Sequence, residues 1–221
     1  MALYKNGILG AYRNKVGTVV GRIWRGKDVV AAMPKSMHNP NTDPQKKIRS
    51  RFAVIGRLAA SLLNALNIGL HNIYMKRQST AIGEFVRLNW DAVEASGATV
   101  KTDYSAIKVA RGNLVGVLFK TPSFEIPQQV IVDFENNEEI DGVSLDDKIH
   151  LLVYCPDADA AILSAPVKRS ANTVSLMVPA YWGGMVVHLW GFVQGDGIDN
   201  SGKETKGKIS NSVYIGSGKI G

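Results

Sequence analysis

The sequence predicts an α+β protein: a Gly-rich β-hairpin and two α-helices within residues 1–100, followed by an immunoglobulin-like β-sandwich over residues 101–221. Three observations predict it. Four glycines, Gly7, Gly10, Gly17 and Gly21, sit among β-forming residues near the start. Apolar residues then recur at helical spacing from Ile48 to Trp90. From residue 104 onward the period changes to short apolar runs punctuated by Gly, Pro, Asn and Asp.

Val16 to Trp24 reads as a strand, Arg25-Gly26-Lys27 as a turn, and Asp28 to Met33 as the return strand. The interspersed glycines point to bulges or close backbone approach rather than to a sturdy isolated sheet. Pro34 to Pro44 reads as a linker. A helix starts after it: Thr42 and Gln45 form a capping box, and Pro44 falls in the first turn, where its missing N–H costs nothing. Ile48, Phe52, Ile55, Ala59, Leu62 and Leu66 make one apolar stripe, which Gly69 ends or bends. A second helix is expected over Thr80 to Glu94, stopped by Ser96-Gly97. Strands are expected at Ser105–Ala110, Leu114–Lys120, Gln129–Phe134, Lys148–Cys155, Thr173–Val178, Met185–Gln194 and Ile209–Ile215. The Cys–Trp–Cys signature of antibody domains is absent, so only the architecture is implied.

The 221 residues are enough for a substantial core, and a 45% apolar content is that of a globular chain. The single cysteine, Cys155, cannot form an internal disulfide, which fits a reducing compartment. Met1 to Gly10 lacks an apolar run after a basic start, so the expectation is manufacture in the cytoplasm without a signal peptide. The apolar stretch Ile55 to Ile73 is interrupted by Arg57, Asn64, Asn67, His71 and Asn72, which argues against a membrane span.

The net charge of +7 is unevenly spread. Residues 1–60 hold 12 Lys and Arg against Asp28 and Asp43, whereas residues 133–159 hold nine acids against Lys148. A basic end of this kind attracts nucleic acid, an acidic partner, or the acidic segment of another copy. On the first helix Lys46, Lys47, Arg51 and Arg57 fall largely opposite the apolar stripe. Arg22, Arg25 and Lys27 add charge at the hairpin, with Trp24 between them as a stacking residue. These eight residues are the candidate contact set for nucleic acid or an acidic partner.

No motif for catalysis, metal or cofactor stands out. Gly21–Lys27 and Gly197–Lys203 have phosphate-loop spacing, but Asp28 and Glu204 follow the lysines, where a hydroxyl is needed to hold magnesium. Gly216–Gly221 matches a dinucleotide fingerprint with no helix to follow. The run from Asp133 through Glu135 and Asn137 has Glu138 where a calcium loop needs glycine, so a solvated acidic loop is expected. His38, His71, His150 and His188 are dispersed, with no zinc spacing. Cys155, without a neighbouring cation, reads as a buried thiol. No small-molecule substrate is evident.

Lys15-Val16-Gly17-Thr18-Val19-Val20-Gly21 followed by Trp24-Arg25-Gly26-Lys27-Asp28, with the preceding Tyr4–Gly10, resembles the start of an uncharacterised protein family of Bacteroidetes bacteria. The linker Pro34–Pro44, the pair Arg51-Phe52 and the closing Ser210-Asn211-Ser212-Val213-Tyr214-Ile215-Gly216 extend the resemblance along the chain. It implies no activity and no catalytic residues, and it fits a phage or prophage association.

Three functions are therefore expected in order. The first is a structural or assembly protein, a self-associating phage virion or particle component whose partners are copies of itself or other particle proteins. The second is nucleic-acid binding through the basic N-terminal region. The third is a carbohydrate- or surface-binding module presenting Tyr181 and Trp182 beside Gly183-Gly184. Enzyme activity is not expected.

Overall fold

The computed structural model describes residues 2–3, 12–34, 36, 40–96, 99–137, 140, 143–195 and 207–221. The chain divides into two compact units, Met1–Asp43 and Pro44–Gly221.

The first unit is an antiparallel sheet of β1 (Ala2–Leu3), β2 (Asn14–Val16), β3 (Val19–Trp24) and β4 (Lys27–Ala32), in the order β1-β4-β3-β2. The expected single strand Val16–Trp24 is two strands. Gly17 takes φ 60° in a two-residue turn with Thr18, and Val16 pairs with Val19 across it. Arg25 (φ 50°) and Gly26 (φ 74°) close the β3–β4 hairpin, the doubly left-handed turn whose twist matches that of paired strands. The glycine cluster thus makes a turn as well as a close approach: a Cβ on Gly21 would collide with the Tyr12 carbonyl oxygen and then its ring.

In the second unit, α1 (Asp43–Ser61) starts directly after Thr42, as the capping signal requires. It gives way at Leu62 to α2 (Leu63–Gly69), bent by 80°. The expected single stripe is therefore split: Ile55, Ala59, Leu62 and Leu66 are buried, but Ile48 and Phe52 are about half exposed. Next come α3 (His71–Arg77), which sequence analysis missed, and α4 (Ala81–Leu88), capped by Thr80 accepting from the Gly83 N–H at 3.0 Å. The expected helix to Glu94 stops earlier. Trp90–Ala92 is a 3-10 turn and Val93 opens the hairpin of β5 (Val93–Ser96) and β6 (Thr99–Thr102). Among the described residues no single helix is long and apolar enough to cross a membrane; α1 and α2 together reach that length only across their bend.

The β region comprises β7 (Leu118–Phe119), β8 (Gln129–Glu135), β9 (Lys148–Cys155), β10 (Ala160–Leu163), β11 (Val167–Lys168), β12 (Thr173–Met177), β13 (Val186–Gln194) and β14 (Val213–Lys219). One sheet runs β10-β9-β13-β14, with β11 also on β9; a second runs β12-β8-β7. All pairings are antiparallel. Ser105–Ala110 is not a strand: it begins as a 3-10 turn and continues irregularly.

The larger sheet is covered on both faces. Ile149, Leu151 and Val153 of β9 and Leu189 and Val193 of β13 pack against Val130, Val132 and Phe134 of β8 and Val174 of β12. Gly191 lies on that face, where a Cβ would collide with the Phe119 ring. The opposite face, Leu152, Tyr154, Trp190 and Phe192, packs against Ile55, Leu58, Leu62, Leu66 and Phe85 of the helices. The compact units do not follow the boundary expected at residue 100. The helices share a core with the sheet and belong to its unit, and the chain divides after Asp43 instead.

Candidate functional site

Strand alternation decides how the N-terminal candidates are displayed. Trp24 pairs with Lys27 and Arg22 pairs with Val29, so Arg22, Trp24 and Lys27 project from one face of the hairpin. The turn returns Arg25 to the same place, its guanidinium carbon 4.7 Å from the centre of the Trp24 ring. Trp24 is 48% exposed, as is Ile23 on the opposite face. Among the described residues no carboxylate lies within ion-pair reach of Arg22, Arg25 or Lys27. Three cations around one aromatic ring can meet phosphates or carboxylates while the ring stacks. Gly21–Lys27, with its phosphate-loop spacing, is this hairpin and opens no helix.

The α1 candidates do not form one set. Lys46 and Lys47 are exposed near the helix start. Arg51 is largely spent within the fold. Its guanidinium lies over the Trp90 ring at 4.2 Å, donates to the Trp90 carbonyl, and is 3.5 Å from Asp91. Phe52 packs on the same ring at 4.7 Å between centres. Arg57 is exposed but faces Asp159 at 3.8 Å. The cations expected on one face of α1 therefore differ in their surroundings: Arg51 and Arg57 make contacts within the fold, and Lys46 and Lys47 are exposed to solvent.

Among the described acids of the acidic segment, several are paired within the fold. Glu135 meets Lys120 at 3.2 Å, Asp146 meets Lys168 at 2.7 Å, and Asp147 meets Arg169 at 3.3 Å in a buried pair. Asp133 and Glu135 lie on β8, so the calcium-like run is in part a strand rather than a loop; Glu138 lies outside the described residues. Asp133 and Asp157 remain exposed.

Sequence analysis missed an aromatic cluster where the 3-10 turn Tyr104–Ala106 meets β13 and β14. The Tyr104 ring stacks on His188 at 4.0 Å, and His188 Nδ1 lies 2.9 Å from the Tyr214 hydroxyl. Burial holds the His188 imidazole below its ordinary pKa. Burial raises Tyr104, and Asp159 and Asp157 reinforce this. Only the alternation of aromatic residues along His188-Leu189-Trp190 signalled this cluster. Of the pair expected to form a sugar platform, Trp182 is fully buried between the two sheets and Tyr181 is 64% exposed.

Gly216–Gly221 begins inside β14, so it opens no helix. Gly197–Lys203 and His38 lie outside the described residues. Cys155 is buried, its sulfur 3.6 Å from the Met185 sulfur. Among the described residues no three His, Cys, Asp or Glu side chains are grouped to hold a metal ion.

Comparison with curated proteins finds no match. A family model matches residues 9–216, nearly the whole chain and including the hairpin, the helices and both sheets: the chain belongs to a family of unknown function (DUF6266).

Proposed function

We propose that this protein is a structural or assembly component that associates with copies of itself through its N-terminal sheet, in a phage virion or a comparable particle. One observation carries the reading. Among the described residues of the first unit, Val29 is the single buried large apolar side chain, whereas Val16 and Ile23, which share the face opposite Trp24, are 54% and 48% exposed. A single layer of short strands cannot bury its own apolar face and needs a second layer. A second copy supplies an identical, self-complementary one. The unpaired Arg22, Arg25 and Lys27 suit the exposed Asp133 and Asp157 of a neighbouring copy.

The finer fold reading belongs with this proposal: the two packed sheets form an immunoglobulin-type sandwich, a scaffold common in presentation modules. Strand order supports it. Setting aside the short β11, β7, β8 and β12 share one sheet and β10, β9, β13 and β14 the other, an arrangement in which the connections cross between sheets as in a Greek key.

Light scattering on size-separated full-length protein at low salt tests the assembly reading. The expected result is an oligomer that Val16→Ser combined with Ile23→Ser reduces to monomer. A full-length chain that stays monomeric at high concentration sinks it.

The placement of Arg22, Trp24 and Lys27 on one face, with Arg25 stacked beside them, favours nucleic-acid binding as a second reading. Its test is a gel shift on generic DNA and RNA at two salt concentrations. Binding that weakens steeply with salt supports it, and no shift at low salt disposes of it.

A further inference from the structure

Five cations far apart in sequence come together in the second unit. Lys76 and Arg77 close α3, Arg87 lies in the last turn of α4, Arg111 follows the irregular segment after the Tyr104 turn, and Lys208 leads back toward the sheet. They line one open cavity of about 710 Å3 whose apolar lining includes Ile73 and Ile209. Backbone and side-chain hydrogen bonds fix its walls to each other. Arg111 N–H donates to the Gly69 carbonyl at 3.1 Å, Leu114 N–H to the Ile209 carbonyl at 2.9 Å, and Asn72 to the Gly207 carbonyl at 3.1 Å.

No carboxylate is among the described residues lining this cavity. The nearest acid in the network, Glu84, is buried behind it and already engaged. It accepts from the Ser79 hydroxyl at 2.7 Å and from Arg87 at 2.8 and 2.9 Å, with Arg77 at 3.9 Å. Burial alone would raise the Glu84 carboxyl, but the Ser79 hydroxyl and then the two arginines bring it below its ordinary value. One carboxylate thus holds two guanidinium groups in place without neutralising both. Lys76, Arg111 and Lys208 have no ion-pair partner among the described residues. Like charges gathered on one concave wall repel each other and concentrate a positive field. An anion entering the cavity would relieve that repulsion.

The geometry points to a site for a phosphate-bearing ligand of nucleotide size. Guanidinium forks match phosphate oxygens two at a time, and lysines add point charge. The volume lies within the range of small-ligand pockets, roughly 300–1,000 Å3. Ile73 and Ile209 offer apolar contact to the uncharged part of the ligand. The phosphates can belong to a free nucleotide or to a nucleotide of a single strand; the chemistry is shared and the test separates them. This site uses none of the hairpin residues invoked above.

The test is isothermal titration of full-length protein at low salt with tripolyphosphate, ATP and a short oligothymidylate, on the native chain and on Arg111→Glu, Lys208→Glu and Arg22→Glu, each checked by its circular dichroism melt. The native chain is expected to bind at least one probe, with ATP tighter than tripolyphosphate if the apolar lining is used. Each charge reversal in the cavity weakens that binding by about tenfold or more, Arg111→Lys retains part of it, and added salt weakens it. Loss of ATP binding assigns the site to free nucleotides, and loss of oligothymidylate alone assigns it to a strand; either supports the proposal. The hairpin variant Arg22→Glu leaves ATP binding unchanged, which separates this site from the hairpin reading. If no probe binds, or if Arg111→Glu and Lys208→Glu bind as the native chain does, the proposal is overturned.

Discussion

Arg169 shows most sharply what charge counting along a sequence misses. It is fully buried beside Asp147, its guanidinium donating to the Val115 carbonyl at 2.8 Å and the Gly116 carbonyl at 3.4 Å. From sequence, Asp147 counted as one of nine acids in a solvated run; only the fold reveals that it neutralises a core cation. Removing one member of a buried pair strands the other. Arg169→Met is therefore expected to destabilise by about 3–5 kcal/mol in urea unfolding, and Arg169→Met with Asp147→Asn by less than the sum of the single changes. Additive losses would mean that the pair is not coupled. The buried histidines give a second residue-scale prediction. Burial lowers His150, partly opposed by the hydrogen bond its Nε2 donates to Gln194 Oε1, with a further lowering by Lys148; burial also lowers His188. A base whose folded pKa lies below its unfolded value of 6.5 binds more protons when unfolded. Stability is thus full above 6.5 and declines as pH falls below it, before Glu84 adds its own loss below 4.5 as its carboxylate takes up a proton. In the double variant His150→Gln with His188→Gln, the dependence of Tm on pH just below 6.5 should flatten. An unchanged slope would assign the acid sensitivity elsewhere.

At the scale of elements, legibility followed one-sided burial. The Thr42 and Gln45 signal placed the start of α1, and the apolar run Lys148–Cys155 placed β9 at its observed bounds, because both depend on local pattern. What the pattern could not encode was a second covering layer. Every residue of β9 after Lys148 is buried, and such a continuous run looks the same whether one face or both are covered. The α1–α2 bend was hidden for the opposite reason. Its apolar spacing continues across Leu62, and only packing on the sheet decides that the stripe splits. β13 carries the consequence, since Trp190 and Phe192 meet the helices while Leu189 and Val193 meet the second sheet. Trp190 Nε1 also donates to the Ile107 carbonyl at 3.1 Å, tying the irregular 105–110 segment to the sheet. Trp190→Ala should cost about 3–5 kcal/mol through cavity formation. Trp190→Phe keeps most of the ring but leaves the carbonyl without its donor, for about 1–3 kcal/mol. Equal, small losses in chemical denaturation would show that this strand does not hold the two cores together.

For the whole molecule, the chain divides into compact units between Asp43 and Pro44, and the two proposed activities fall on different units. The basic composition of the first 60 residues was legible, as was the hairpin that gathers Arg22, Trp24, Arg25 and Lys27. The cation-lined cavity was not, since Lys76, Arg87, Arg111 and Lys208 are scattered among unremarkable neighbours and meet only through folding. The second unit contains both large apolar clusters, one between helices and sheet and one between the two sheets. Among the described residues, none of the first unit belongs to either cluster, and its strands bury one large apolar side chain. A chain of residues 44–221 should consequently keep a cooperative melt and the near-ultraviolet signal of buried Trp182 and Trp190, and should lose the self-association proposed for the first unit. Light scattering and circular dichroism on both chain lengths test this together. A shortened chain that unfolds would show that the first unit completes the core, and one that folds yet associates as the full chain does would move the assembly surface onto the sandwich.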